Sequence, residues 1–243
     1  MKKIALLIIA MLVMTPISAV AGEGAAEETS EKIIQHPFQD DDESTKHWIV
    51  TPGGIYLGMG IHHSWDQINN SFEVGMLNVA AIKYRSFHGQ ELSLGVGIHH
   101  RSYSMKRPGM LERGMNSNVV TLGTYPIEDA TVTKRRSSNL NLWTVQFPLM
   151  FTQRIYKKLE ISVAGIMNWN TYARVDNRYE IDKVETNTHY KGLKQNKLNF
   201  DIMGALTWNQ TGIYCRYSPG KFFKEGYGPE IKNTWTLGLT IGL

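Results

Sequence analysis

The segment Leu92-Ser93-Leu94-Gly95-Val96-Gly97-Ile98-His99 decides the fold class, because apolar residues alternate with small or polar residues along its whole length. A period of two places successive side chains on opposite faces of a β-strand, and helical spacing does not fit the pattern. The even-numbered residues from Leu92 to Ile98 form one apolar face, while Ser93 and His99 lie on the other. The segment therefore predicts a strand with one apolar and one polar face.

Seven further segments alternate in the same way. With about nine to fourteen residues each, these strands are longer than the five or six residues usual in globular sheets. They match the length that a tilted strand needs to cross a bilayer. The eight predicted strands lie near 49–63, 72–85, 92–101, 143–154, 158–172, 198–209, 212–219 and 234–243.

The connections between these strands alternate in length. Short turns are expected at 86–89, 155–157 and 209–212, and long loops at 64–71, 106–140, 173–197 and 220–232. Short turns in the periplasm and long loops outside the cell are typical of outer-membrane barrels. The sequence therefore predicts an all-β protein, an eight-stranded antiparallel transmembrane β-barrel with short periplasmic turns and long extracellular loops.

A secreted β-sandwich would also show alternation, and the two folds differ in what their polar faces contact. A sandwich would place Arg101, Arg154 and Asp201 in its core, whereas a barrel directs them into its lumen and its apolar face toward lipid. Aromatic residues near the strand ends favour the barrel, because they are typical of interfacial girdles. These residues are Trp48, Trp65, Tyr84, Trp143, Tyr156, Trp169, Trp208 and Trp235.

The N-terminal region predicts export. Residues 1–21 read as a cleaved signal peptide, with a positive start at Lys2 and Lys3, an apolar run, and small residues before the cut. Residues 22–47 hold eight acidic residues and two lysines, which predicts a flexible acidic leader in the periplasm. The barrel domain, 48–243, holds 22 basic and 14 acidic residues, which suits a surface facing phosphate-rich lipid. The predicted location is the cell outer membrane.

An eight-stranded barrel has an interior just wide enough for side chains to fill it. Alternation assigns residues of both charge signs to this interior, and buried charges must be paired. We therefore expect a hydrogen-bonded polar network that plugs the lumen. The predicted members are Glu73, Lys83, Arg85, His99, Arg101, Gln146, Arg154, Glu160, Asp201, Tyr214 and Arg216.

Two histidine patterns suggest other chemistry. His62, Glu73 and His99 lie on neighbouring predicted strands and are ligand types that zinc accepts, but lumen histidines with hydrogen-bond partners are the favoured interpretation. We predict no metal and no cofactor. His100 and Ser102 share an outward face, and a histidine beside a serine can deprotonate it for acyl attack. A family of lipid A deacylases uses such a pair on the outside of a barrel.

Several segments resemble the strands of small outer-membrane β-barrels of Bacteroidetes, a group that includes PorT-like and OmpA-type transmembrane barrels. The segments are Gln90–Ile98, Trp143–Phe151, Leu159–Gly165, Gly212–Ser218 and Trp235–Leu243. The resemblance covers about 48–243 and is specific for the fold. The sequence departs from it in having Leu243 where many of these barrels have a terminal phenylalanine, and we expect no peptidoglycan-binding domain of the OmpA type.

The predicted function is a structural or interaction role in the cell envelope, without enzymatic activity. The resemblance implies one version of it, a PorT-like part in a secretion or envelope assembly. Expected partners are outer-membrane lipids, lipopolysaccharide, and a periplasmic or outer-membrane protein, but no nucleic acid. The alternatives are a lipid A-modifying acyl hydrolase that uses His100 and Ser102, and a narrow pore.

Overall fold

The structure is a computed structural model. It describes residues 49–50, 53–62, 66–85, 90–107, 109–114, 118–125, 136–181 and 184–243. The predicted signal peptide and acidic leader lie outside these residues. Within them the regular structure is β throughout. No helix in this part of the chain is long and apolar enough to span a membrane.

Twelve strands form in the described part of the chain. They are β1 (Ile49–Val50), β2 (Ile55–His62), β3 (Ile68–Arg85), β4 (Gln90–Met105), β5 (Gly109–Arg113), β6 (Val120–Thr124), β7 (Ser137–Tyr156), β8 (Leu159–Ile181), β9 (Val184–Lys191), β10 (Leu198–Trp208), β11 (Thr211–Ser218) and β12 (Thr234–Ile241).

Eight of these strands close into an antiparallel barrel. The order around it is β2, β3, β4, β7, β8, β10, β11, β12 and back to β2. The closing pair runs from Thr234 opposite His62 to Ile241 opposite Ile55. β1 pairs with β3 beyond the N-terminal end of β2, so β1 continues the line of β2 along the same side of β3. The predicted eight-stranded antiparallel barrel is therefore confirmed.

The two ends of the barrel differ in their connections. Two-residue turns join β7 to β8 and β10 to β11. Asn209 and Gln210 in the second turn both have positive φ, the backbone conformation that matches the twist of a tight hairpin. We call this the short-turn end and the opposite one the long-loop end.

At the long-loop end, much of the sequence predicted as loop is β-structure. β5, β6 and the start of β7 occupy parts of 106–140, while the end of β8 and all of β9 occupy parts of 173–197. These two expectations were therefore wrong in part. The strands continue beyond the apolar belt with polar residues such as Asn141 and Asp176 on the outer face, so no apolar alternation marks them.

The outer surface of the barrel is apolar and the inner one is mixed. Outward residues of β7 such as Leu149 (52% exposed) and Phe151 (44%) alternate with buried Gln146, Met150 and Thr152. Aromatic side chains mark both ends of this belt. Tyr84, Tyr156 and Trp208 lie toward the short-turn end, and Trp143, Trp169, Tyr172 and Trp235 toward the long-loop end.

Two apolar clusters fill the barrel on either side of a polar layer. The lower cluster, at the short-turn end, includes Met150, Ile166 and Met203, and Leu243 packs against it. The upper cluster lies at the long-loop end and joins inward strand residues to residues of the connections. Its members are Ile68, Tyr103, Met105, Leu111, Val120, Leu140, Leu142, Ala173, Val175, Leu193, Phe222, Phe223 and Ile231.

The β5–β6 hairpin packs into the upper cluster and is fixed by hydrogen bonds. Leu111 of β5 donates its amide to Ser138 Oγ at 3.1 Å, and its carbonyl accepts from Asn177 Nδ2 at 2.7 Å. The amide of Val120 on β6 donates to the carbonyl of Tyr227 at 3.0 Å. The hairpin is thus tied both to β7–β8 and to the β11–β12 connection.

Candidate functional site in the barrel interior

Glu73 on β3 is the centre of one half of the polar layer. Its Oε2 accepts from Arg101 Nε at 2.9 Å and lies 3.2 Å from His99 Nε2. Its Oε1 accepts from the Tyr214 hydroxyl at 2.9 Å. Arg101 also donates to Ser218 Oγ at 3.2 Å. Three side chains from two other strands, β4 and β11, therefore satisfy one buried carboxylate.

Arg216 on β11 is the centre of the other half and is fully buried. Its Nε donates to Asp201 Oδ2 at 2.7 Å, and its Nη1 donates to the Tyr56 hydroxyl at 2.9 Å. Its Nη2 lies 3.2 Å from Asn168 Oδ1. The Gln146 amide is best satisfied with its oxygen 2.6 Å from Nη2 and its nitrogen 2.7 Å from Tyr56.

Tyr56 joins the two halves. Its ring packs edge-on against Tyr214, with centroids 5.5 Å apart, and its hydroxyl contacts Arg216. The joined network draws on seven of the eight barrel strands, β12 excepted. It contains two carboxylates, Glu73 and Asp201, and two guanidinium groups. Because each charge is paired and hydrogen-bonded, the cost of burying it is offset.

The other predicted lumen residues lie outside this network. Lys83 pairs with Glu91 at 2.9 Å, and Arg154 pairs with Glu160 at 2.8 Å. Both pairs are near the short turns and partly exposed, where an ion pair contributes little. Arg85 ends β3, and its side chain lies outside the described part of the chain.

The seven predicted residues that do come together are Glu73, His99, Arg101, Gln146, Asp201, Tyr214 and Arg216. Sequence analysis did not select Tyr56, Asn168 and Ser218. Alternation could have placed Tyr56 on the inward face of its strand, because the next residue, Leu57, points outward. It could also have placed Ser218 on the same inward face as Arg216. Nothing in the sequence shows which inward residues meet across the lumen, because that depends on strand register.

The open space in the polar layer is small. A cavity of about 20 Å³ lies between His99, Arg101, Asp201 and neighbouring polar groups. This volume is close to what one water molecule needs. Apolar clusters lie on both sides of the layer. The described side chains around this cavity therefore leave room for about one water molecule.

The histidines suggested as zinc ligands have separate partners. His62 Nε2 lies 2.7 Å from Ser71 Oγ, and its Nδ1 lies 3.2 Å from Thr234 Oγ1. His99 instead contacts Glu73. Among the described residues, no three His, Cys, Asp or Glu side chains are grouped so that they could hold a metal ion.

His100 and Ser102 both lie on the outer face of β4, near the long-loop end. His100 packs against Trp143, with ring centroids 4.6 Å apart. Ser102 is opposite Phe72 on one side and Asn141 on the other. In the described part of the chain no hydrogen bond joins the two side chains. On the outer face, Asn141 of β7 is in turn opposite Arg174 of β8, which is a cation.

No protein-family model matches the sequence, and no curated protein is detectably similar to it. The resemblance to PorT-like and OmpA-type barrels therefore stays a prediction.

Proposed function

We propose that this protein is an integral outer-membrane β-barrel with a plugged interior, which acts as a structural or interaction protein of the cell envelope. The observation that carries the proposal is the inverted distribution of side chains. Charged residues such as Glu73 and Arg216 are buried, while large apolar residues such as Leu149 and Ile202 are exposed. Water disfavours an exposed apolar band, and lipid favours it.

The dimensions of the band support membrane insertion. β10 presents apolar side chains outward from Leu198 to Trp208 over eleven residues, which at ~3.3 Å per residue and a tilt of ~40° gives a height of about 25 Å. This is the height of the apolar band of outer-membrane barrels. Trp169 and Trp208 near its two edges suit the two membrane interfaces.

The filled interior favours a structural or interaction role over transport. The polar layer and the two apolar clusters lie in series along the lumen, so a solute would have to displace all three. The long-loop end carries a fixed cap built on the β5–β6 hairpin. Binding residues commonly lie on the loops of rigid scaffolds. We therefore place partner binding at this cap, and a part in a secretion or envelope assembly is the PorT-like version of the proposal.

Heat-modified gel mobility tests the proposal. The protein is expressed in a Gram-negative host, the membranes are separated by density, and the outer-membrane fraction is run with and without boiling in detergent. A closed barrel has no open sheet edge and resists detergent until heated. We expect the unboiled protein to migrate faster in that fraction. Recovery in the soluble periplasmic or secreted fraction would overturn the proposal.

A further inference from the structure

Four lysines are grouped on the outside of the barrel at the long-loop end. They lie at the end of β9, on the segment that joins β9 to β10, and on the β11–β12 connection, and all four are exposed. We call this group the lysine shelf. Its members are Lys191, Lys194, Lys197 and Lys224.

Backbone contacts fix the shelf in place. Gln195 forms a β-bridge with Phe223, and the amide of Asn196 donates to the carbonyl of Phe222 at 2.8 Å. The amide of Lys224 donates to the carbonyl of Lys194 at 2.9 Å. Because Gln195 is buried between these contacts, the two segments hold the lysines at defined positions and not on a free loop.

The shelf ammonium groups have no carboxylate partners among the described residues. The neighbouring Lys221 and Lys232 share one carboxylate, Glu230, at 3.1 and 2.9 Å. Hydrogen bonds from Lys232 and Lys221 hold the pKa of the Glu230 carboxyl below its ordinary value. Glu230 is thus engaged by its own two lysines. The backbone hydrogen bond between Lys194 and Lys224 makes these two lysines neighbours, and an anionic partner would stabilise like charges held in this way.

The shelf lies immediately beyond the aromatic edge of the apolar band. The carbonyl of Lys197 accepts from the amide of Asn170 at 2.8 Å, and the next residue, Leu198, is opposite Trp169. Lys191 is opposite Arg174, two residues beyond Tyr172. A lipid could therefore contact the shelf with its headgroup and the apolar band with its acyl chains. A soluble anion would meet only the shelf.

We infer that the lysine shelf binds the phosphate groups of lipids in the leaflet that surrounds the long-loop end. Ammonium groups bind phosphate oxygens through charge-assisted hydrogen bonds. The inference rests on the membrane insertion proposed above. It assigns a specific part of the barrel surface to a phosphorylated lipid headgroup.

The test compares two lipids and two variants of the full-length protein in detergent. The probes are lipid A with two phosphates and the same lipid A after enzymatic dephosphorylation, with binding followed by native mass spectrometry. The shelf variant is Lys194→Gln with Lys197→Gln. The matched control is Lys157→Gln with Lys158→Gln, which removes two exposed lysines from the short-turn end.

We expect the wild-type protein to prefer the phosphorylated lipid. A lysine near an anionic lipid surface contributes about fivefold in affinity, so the shelf variant is expected to lose on the order of twentyfold. The control variant should bind as the wild type does. Equal binding of the two lipids, or equal losses in both variants, would overturn the inference. Displacement of the lipid by inorganic phosphate would overturn its assignment to a lipid.

Gel mobility separates this inference from the proposed function. Both variants should keep the heat-dependent shift, which shows that their barrels have closed. A wild-type protein that shifts in the outer-membrane fraction, but has no preference for phosphorylated lipid, would overturn the shelf alone. Absence of the wild-type protein from that fraction would overturn both.

Discussion

Arg216 on β11 and Asp201 on β10 form an ion pair in the middle of the barrel. The guanidinium Nε donates to the carboxylate Oδ2 at 2.7 Å, and the side-chain exposures are 0% and 4%. Tyr56 and Asn168 lie against the remaining guanidinium nitrogens. The pair thus connects four strands by side chains, in addition to the backbone ladder that already closes the barrel.

Replacing Arg216 with methionine is expected to destabilise the barrel strongly. The change leaves Asp201 buried without its counter-charge, and breaking a buried pair on one side costs about 3–5 kcal/mol. Urea unfolding of the refolded protein in lipid vesicles measures the loss. Arg154→Met serves as the control, because its pair with Glu160 is partly exposed and should contribute no more than about 1 kcal/mol.

The double variant Arg216→Met with Asp201→Leu should recover part of this loss. Removing both charges leaves no unpaired ion in the lumen, so the double variant should be more stable than Arg216→Met alone. If the double variant lost as much stability as Arg216→Met and Asp201→Leu lose in sum, the ion pair would not be the reason for the effect of Arg216→Met.

Gly238 is expected to be required for closing the barrel. It is directly opposite Gly58 where β12 meets β2, and a Cβ at Gly238 would lie 2.6 Å from Cε1 of Tyr214. We expect Gly238→Val to cost about 2–3 kcal/mol through overpacking. Gly165→Ala is the control, since nothing lies within 4 Å of its added Cβ. The fraction that shows the heat-dependent gel shift after refolding reports closure, and equal fractions would contradict the prediction.

A charge in the apolar band should be costly in proportion to its depth. Leu149 lies about midway along the band, whereas Tyr156 lies at its short-turn edge. Leu149→Arg is expected to cost about 2–4 kcal/mol in a bilayer, and Tyr156→Arg about 0–1 kcal/mol. Unfolding in vesicles gives both values. Similar costs at the two positions would contradict a membrane-spanning band.

The protein should not conduct ions in a planar bilayer. The polar layer and both apolar clusters lie in series, and the cavity between them is only about 20 Å³. Glu73→Ala with Arg101→Ala should also fail to conduct, because the apolar clusters remain. A general porin reconstituted in the same bilayer is the positive control. Steady single-channel steps from the wild-type protein would support the narrow pore instead.

His100 and Ser102 are expected to have no role in lipid A processing. They lie on one face, but His100 packs on Trp143. The carboxylate of Asp176 on the same face is bonded to Asn141, Arg174 and His189, and a triad would need it to orient the histidine. Lipid A from cells that express the wild type or Ser102→Ala should therefore give the same mass spectrum. Loss of an acyl chain with the wild type alone would establish the hydrolase.

The sequence by itself determined the number of barrel strands and, within the apolar belt, the face that each side chain takes. Alternation has a period of two, so a clear strand such as 92–99 fixes which residues point inward and which outward. For the same reason Glu73, Arg101 and Arg216 could be assigned to the lumen before their partners were known. The apolar band is a property of each strand alone, which is why single segments reveal it.

Only the tertiary structure decided which inward residues meet. The partner of Arg216 is Asp201 and not Glu160, although both acids were assigned to the lumen. That choice depends on the register between strands, which alternation leaves open. The lysine shelf shows the same limit, because Lys194 and Lys224 become neighbours through a backbone hydrogen bond between two connections. Periodicity acts within one strand, whereas pairing across the barrel is set by closure of the whole sheet.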